Sequence, residues 1–176
     1  MIQTNNIHAN EVILDSISRE DLSFMLAWRN DPRVFKWCRQ NDLINEVAHL
    51  KWFEQSSLDP TIKMYAIRTS AFKIVGVCGF TSIDHINKRA EFSLYIGPEH
   101  WNNGLGRKSL YSLCEHGFYA YGFNIIWGES YDKNPAIKMF ESLGFKHEGT
   151  RREFYFRNGQ FIDAHLYSIK KDELKW

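Results

Sequence analysis

Residues 89–97 alternate without a slip, and the turn and helix signals after them leave few folds open. Ala90, Phe92, Leu94 and Ile96 would line one face of a strand, and Glu91, Ser93 and Tyr95 the other. Pro98 ends the run. The segment Glu99-His100-Trp101-Asn102-Asn103-Gly104-Leu105-Gly106-Arg107 then leads into a stretch where Leu110, Leu113, Cys114, Phe118 and Tyr121 recur at helical spacing. Glycine at 104 and 106 lets a ligand approach the backbone closely. The amides of Asn102, Asn103, Gly104, Leu105, Gly106 and Arg107 fall at a helix N-terminus, where unpaired N–H groups and the helix dipole favour an anion such as a pyrophosphate. By itself Gly-x-Gly is more often an ordinary strand–helix turn, so its surroundings must decide.

Upstream, residues 11–17 read as a first strand. Ser18-Arg19-Glu20-Asp21 has the form of a capping box with Ser18 accepting from the first-turn amides. The helix it opens stops before Pro32, which disfavours helix at the residue ahead of it. A second helix is expected over 45–57, with Val47, Leu50 and Phe53 or Glu54 marking its turns, until Asp59-Pro60. Strands are expected over 62–68, 73–83 and 89–97, and another over 124–131. Pro135 opens a last helix and Gly144 closes it. Strands over 146–157 and 161–170 flank Arg157-Asn158-Gly159-Gln160, where Asn-Gly signals a hairpin. With no repeat and no linker, residues 1–176 form one α/β domain around a mixed sheet.

Composition narrows the partners. There are 22 Lys and Arg against 21 Asp and Glu, a net charge of +1, which gives no bulk attraction to nucleic acid or an anionic membrane. Cys38, Cys78 and Cys114 are odd in number and far apart, which fits a reducing compartment better than a disulfide framework. No His or Cys spacing suggests a metal, and Met1–Asn6 does not begin a signal peptide. No apolar stretch approaches a membrane span. The expectation is a cytoplasmic protein with no metal, nucleic-acid or membrane partner.

Strand 89–97, the Gly-x-Gly turn, its helix, strand 125–131 and Asn134-Pro135-Ala136-Ile137-Lys138-Met139-Phe140-Glu141-Ser142-Leu143-Gly144-Phe145 together resemble the GCN5-related N-acetyltransferase superfamily. Its acyl-CoA signature is Arg/Gln-x-x-Gly-x-Gly/Ala after the fourth strand. Here Trp101 holds the first position, a form similar to the ribosomal-protein-alanine N-acetyltransferase branch. Trp28-Arg29-Asn30-Asp31-Pro32, His49-Leu50-Lys51-Trp52-Phe53, Ala90–Tyr95, Glu148-Gly149 and Phe161–Tyr167 look more narrowly like the N-acetyltransferase of pseudaminic acid biosynthesis.

The resemblance implies a mostly antiparallel central sheet flanked by helices, with acetyl-CoA as co-substrate. It implies a small-molecule amine acceptor, most narrowly a UDP-linked amino sugar. A bulge in the fourth strand would aim the amides of Leu94, Tyr95 and Ile96 at the acetyl oxygen and the pantetheine arm. Asn134 would bond the pantetheine. Trp28, Arg29 and Asn30 sit where the superfamily's first helices cover the acceptor, and Arg29 suits a diphosphate.

Direct attack by a neutral amine needs a proton acceptor, and Glu91 and Glu129 are the candidates, acting through water. Glu129 shares a strand face with Ile125, Trp127 and Tyr131, apolar company that suits a base. The superfamily's tyrosine, which protonates the departing thiolate, is matched by Phe140, which has no proton to give. Tyr131 or a water would stand in, or the thiolate would leave unassisted. The aromatics Trp37 and Phe154-Tyr155-Phe156 are expected in the core rather than on a base. Rival functions are acetylation of a protein N-terminus or another small amine, and non-catalytic acyl-CoA sensing. The exposed edge of the last hairpin suggests a homodimer.

Overall fold

The alternating run at 89–97 becomes the middle strand of a seven-stranded sheet. A computed structural model describes residues 12–40, 42–70 and 73–176. The elements run β1 (Ile13–Asp15), α1 (Leu22–Asn30), α2 (Pro32–Phe35), α3 (Glu46–Ser56), β2 (Lys63–Arg68), β3 (Ile74–Asp84), β4 (Arg89–Ile96), α4 (Leu105–Ala120), β5 (Ile125–Tyr131), α5 (Ala136–Leu143), β6 (Lys146–Arg157) and β7 (Gln160–Ile169). The sheet order is β1-β2-β3-β4-β5-β7-β6, and β4 with β5 is its one parallel neighbour pair. This is the mixed, mostly antiparallel sheet flanked by helices that the sequence led us to expect. Part of the expected first strand, and the Met1–Asn6 segment, lie outside the described residues. The four-residue helix after Pro32 was not foreseen. Asp31 caps it by accepting from Arg33 N–H, and Pro32 occupies its first turn, where a missing N–H is harmless.

The sheet separates two apolar clusters. On one side, α4 and α5 cover Phe80, Ala90, Phe92, Ile96 and Ile126, with Leu110, Leu113, Cys114, Phe140 and Leu143 packed on them. On the other, Met25 and Trp28 of α1 pack on Ala66, Ile74 and Val77, with Trp52 of α3 beside them. Helix α3 corrects its expected stripe. Val47 is 79% exposed, whereas His49 is buried and Trp52 half-buried. An imidazole therefore turns inward where an aliphatic residue was expected.

Two contacts fix the first helix. Gly97 lies flat on the Trp28 indole, so close that a β-carbon there would come within 2.4 Å of Cε2. Trp28 Nε1 also donates to Glu99 Oε1 at 2.8 Å. At the other end of α1, Asp21 is buried and accepts from Ser18 N–H at 2.8 Å, Arg68 Nη2 at 2.8 Å and Arg68 Nη1 at 3.1 Å. Ser18 and Asp21 thus form the expected capping box, and the Ser18 hydroxyl also donates to the Asp21 carboxylate at 3.0 Å. Arg68 also reaches Asp15, tying β1, β2 and α1 together.

Burial pushes the Asp21 carboxyl up, but its bonds from Arg68 and Ser18 outweigh that and hold it below the ordinary value. A depressed carboxyl pKa adds stability above the unfolded-state value and loses it as pH falls through the folded one. Unfolding free energy measured from pH 7 down to pH 3 should therefore fall less steeply in Asp21→Asn, which should also be less stable at pH 7. An equal slope in both proteins would count against this role.

A second expectation concerns β5. A β-carbon on Gly128 would lie 2.4 Å from Phe92 Cε1. Gly128→Ala should therefore displace the Phe92 ring and destabilise the fold by about 1–3 kcal/mol, as overpacking does, measurable by denaturant unfolding.

Candidate active site

Strands β4 and β5 pair at Arg89↔Ile125, Ala90↔Ile126 and Glu91↔Trp127, and no further. Beyond that point β4 runs on beside β3 to Ile96, while β5 runs on beside β7 to Tyr131. The two strands part, and a cleft of about 890 Å³ opens between them. Neighbouring residues of an antiparallel strand send their N–H and C=O groups to opposite edges. Gly97 N–H bonds Val75 O at 2.9 Å on the β3 side. Phe92, Leu94 and Ile96 therefore present theirs to the gap. Ile96 O follows this rule and accepts from Trp101 Nε1 at 2.8 Å.

This corrects the expected bulge. The β3–β4 ladder keeps register from Glu91 to Ile96, and its irregularity lies between Thr81 and Asp84. Donors are free on β4 because its neighbour leaves, not because β4 kinks. Leu94 and Ile96 lie on that open edge. Tyr95 does not: its amide belongs to the β3 side, and its ring lies under the Arg29 guanidinium at 5.6 Å.

The cleft reaches the start of α4. Gly104 takes a left-handed conformation (φ +70°) that swings the chain into the helix. Lys108 N–H bonds Gly104 O at 3.2 Å, so the amides before it, on Leu105, Gly106 and Arg107, have no helical carbonyl behind them. Gly106 packs near Met139 of α5; it serves the helix crossing as well as ligand approach. Asn102, Gly104, Leu105, Gly106 and Arg107 line the cleft. Asn103 is outside it and donates to His100 O at 3.3 Å. Further along, Asn134 lines the cleft while its carbonyl oxygen caps α5 by accepting from Ala136 N–H at 3.0 Å. Phe140 is buried and packs edge-on against Phe92, with ring centroids 5.2 Å apart.

At the other end of the cleft stand the two glutamates. Both side chains are 5% exposed, and Arg39 joins them: Nη2 to Glu91 Oε1 at 2.5 Å, Nη1 to Glu129 Oε1 at 3.6 Å. Thr81 Oγ1 donates to Glu91 Oε2 at 3.3 Å. Glu129 also receives Arg151 Nη1 at 3.3 Å and the Tyr155 hydroxyl. Glu129 is therefore held by two cations and a phenol, which corrects the apolar surroundings expected for it. Tyr131 is buried; its hydroxyl donates to Cys38 O at 3.2 Å and accepts from Arg157 Nη2 at 2.9 Å. Burial raises the Tyr131 pKa, and Arg157 opposes that.

Of the three residues expected to hold the acceptor, Arg29 lines the cleft and bonds Gln40 Oε1 through Nε at 2.8 Å. Trp28 is a core residue, as its contacts with Gly97 and Glu99 require. Asn30 is a structural clip, donating to Ile44 O at 2.8 Å and accepting from Ile44 N–H at 2.9 Å.

Arg39, Arg151, Tyr155 and Arg157 carry no sequence signal for the site, since each reaches it from a loop or hairpin remote along the chain. Trp37 lines the cleft and Tyr155 bonds Glu129, while Phe154 and Phe156 are exposed rather than core. His49 Nε2 and Ser130 Oγ are buried in the cleft wall without a hydrogen-bond partner among the described residues.

No group of three or more His, Cys, Asp or Glu suited to a metal occurs among the described residues. Nor, among them, is any helix long and apolar enough to cross a membrane.

Arg39→Ala would leave two buried carboxylates without their shared cation. Because Arg39 is itself half exposed, the loss should be about 1–3 kcal/mol in unfolding free energy. Adding Glu91→Gln should recover part of it; strictly additive losses would show that the pairing is not the cause.

The acetyltransferase (GNAT) domain profile matches residues 11–146. An uncharacterized N-acetyltransferase, p20 of Bacillus licheniformis, is 28% identical over 95% of this chain and 97% of its own. The spermidine N(1)-acetyltransferase of Escherichia coli K12 is 26% identical over 89% of this chain and 84% of its own. The fold matches the crystal structure of spermidine N-acetyltransferase from Vibrio cholerae in complex with CoA and spermine, with a TM-score of 0.88, 21% identity and coverage of 92% and 96%. These relatives are spermidine and other N-acetyltransferases, not pseudaminic acid pathway enzymes. The narrower resemblance is corrected to the superfamily. The chain belongs to the GNAT acetyltransferases and is an acetyl-CoA-dependent N-acetyltransferase.

Proposed function

We propose that this enzyme acetylates a primary amine carried by a small molecule that also bears negative charge. One observation supports this most strongly. The glutamate end of the cleft is lined by Arg29 and Arg39 together with Glu91 and Glu129; Arg39 is paired with both glutamates, whereas Arg29 bonds the neutral Gln40. The Arg29 guanidinium, paired with no carboxylate among the described residues, attracts a carboxylate or phosphate and repels a polycation. A nucleotide-linked amino sugar, the acceptor suggested by the short motifs, belongs to this class, and so does an amino acid. The relatives lend the sugar nucleotide no support. They favour a second reading, a polyamine acceptor, through the spermidine acetyltransferase of E. coli.

In the proposed reaction, CoA phosphates rest on the α4 amides and the pantetheine follows the open edge of β4. The Leu94 N–H faces the acetyl oxygen, where negative charge develops. The amine enters beside Glu91 and Glu129, gives up its proton to one of them or to a water they hold, and attacks the thioester carbon. The homodimer expectation also stays a proposal, resting on edge strand β6 and the exposed Phe154, Phe156 and Phe161 around its hairpin.

The test is release of free CoA thiol from acetyl-CoA with a panel of UDP-amino sugars, amino acids and spermidine. Turnover with the anionic amines and little with spermidine is the expected result; the opposite order would overturn the anionic class in favour of the polyamine. With an active acceptor, Glu129→Gln should lower kcat/KM by about 10²-fold, the lower end for loss of a general base. Arg29→Ala should raise acceptor KM more than it lowers kcat.

A further inference from the structure

Ser130 belongs to neither the glutamate end of the cleft nor the α4 end. It is 5% exposed and lines the cleft, and among the described residues its hydroxyl has no hydrogen-bond partner. A buried hydroxyl left unpaired works against folding, and such groups call for a functional explanation.

Its position follows from the pleat of β5. Glu129 and Tyr131 turn to the acceptor side, where they meet Arg39 and Cys38. Ile126, Gly128 and Ser130 turn the other way, towards α4 and α5. A β-carbon on Gly117 of α4 would come 2.8 Å from Ile126 Cδ1, and one on Gly128 would strike the Phe92 ring, which packs edge-on against Phe140. Ser130 is therefore the next residue of that face after Gly128. It stands on the wall that holds Phe140, at a level where β5 no longer pairs with β4.

Phe140, which lines the cleft, matches in sequence the superfamily's tyrosine that assists the departing sulfur. Tyr131 lies on the opposite face with its hydroxyl committed to Cys38 O. We propose that the Ser130 hydroxyl donates a hydrogen bond to the acetyl-CoA sulfur as the carbon–sulfur bond breaks, in place of the phenol that Phe140 lacks.

The proposal rests on the acetyl-CoA donor assignment. The amine nitrogen forms the new bond to the acetyl carbon, and the electron pair of the broken bond passes to sulfur. The amine's proton goes to the base near Glu91 and Glu129. Serine is too weak an acid to surrender its own proton, so CoA leaves as a thiolate steadied by the hydroxyl and takes a proton from water afterwards. A free thiol ionises near about pH 8.5, so this anion is an accessible product.

The test uses CoA alone and needs no acceptor. The ionisation of bound CoA thiol is followed by thiolate absorbance across pH in the native enzyme, Ser130→Ala and Ser130→Thr. A hydrogen bond to the thiolate should place the native thiol pKa about one unit below that of Ser130→Ala, with Ser130→Thr close to native and CoA affinity unchanged at pH values well below the thiol pKa. Because the hydroxyl is unpaired in the free protein, Ser130→Ala should melt at or above the native temperature. Its kcat should fall about tenfold, matching one pK unit. Equal thiol pKa values in native and Ser130→Ala overturn the proposal, and so does a lower melting temperature, which would mark the hydroxyl as structural. Failure of the native chain to bind CoA at all would overturn the donor assignment itself, and this proposal with it.

Discussion

Everything in this enzyme's site depends on two parallel strands that stop touching. β4 and β5 hold a normal ladder as far as Glu91 and Trp127, and then each follows its other neighbour. A sheet that stayed closed would satisfy the amides of β4 internally and leave nothing for a ligand. Parting exposes the Leu94 and Ile96 backbone to the cleft and sets Glu91 and Glu129 at its head. The Phe92 ring lies against Gly128 just where the strands separate. An aromatic residue on one strand thus matches a residue without a side chain on the other.

The electrostatics follow from the same opening. Two carboxylates buried side by side repel each other and lose hydration, so they persist only with a cation between them. Arg39 meets that need from the loop after α2, and Arg151 and Tyr155 complete the shell around Glu129 from the β6–β7 hairpin. Three segments far apart in sequence must converge before either glutamate can be accommodated.

Stability and function divide along the cleft wall. Trp28, Asn30 and Asp21 commit their side-chain polar groups to holding the first helices in place. Ser130 does not, and its hydroxyl, without a partner among the described residues, lies in the cleft wall. Adjacent positions of β5 illustrate the contrast: among the described residues the Tyr131 hydroxyl is bonded twice, while that of Ser130 has no partner.

The order of elements, the alternation of β4 and the hairpin at Asn158-Gly159 were legible in the sequence because each is a local property. Periodicity and turn chemistry act over a few residues and need no partner. The helix N-terminus at Gly104 was legible for the same reason. The inward-facing His49, the core role of Trp28 and the clip made by Asn30 were not, since all three depend on what packs opposite them. Nor was the bulge placed correctly: its expected function at 94–96 is met by the departure of β5, a relation between two strands that neither encodes alone. The sequence by itself determined a strand, a glycine turn and a helix with unpaired amides at its start. Only the tertiary structure decided which charges surround the two glutamates, because Arg39, Arg151 and Glu129 become neighbours through contacts that no local pattern records.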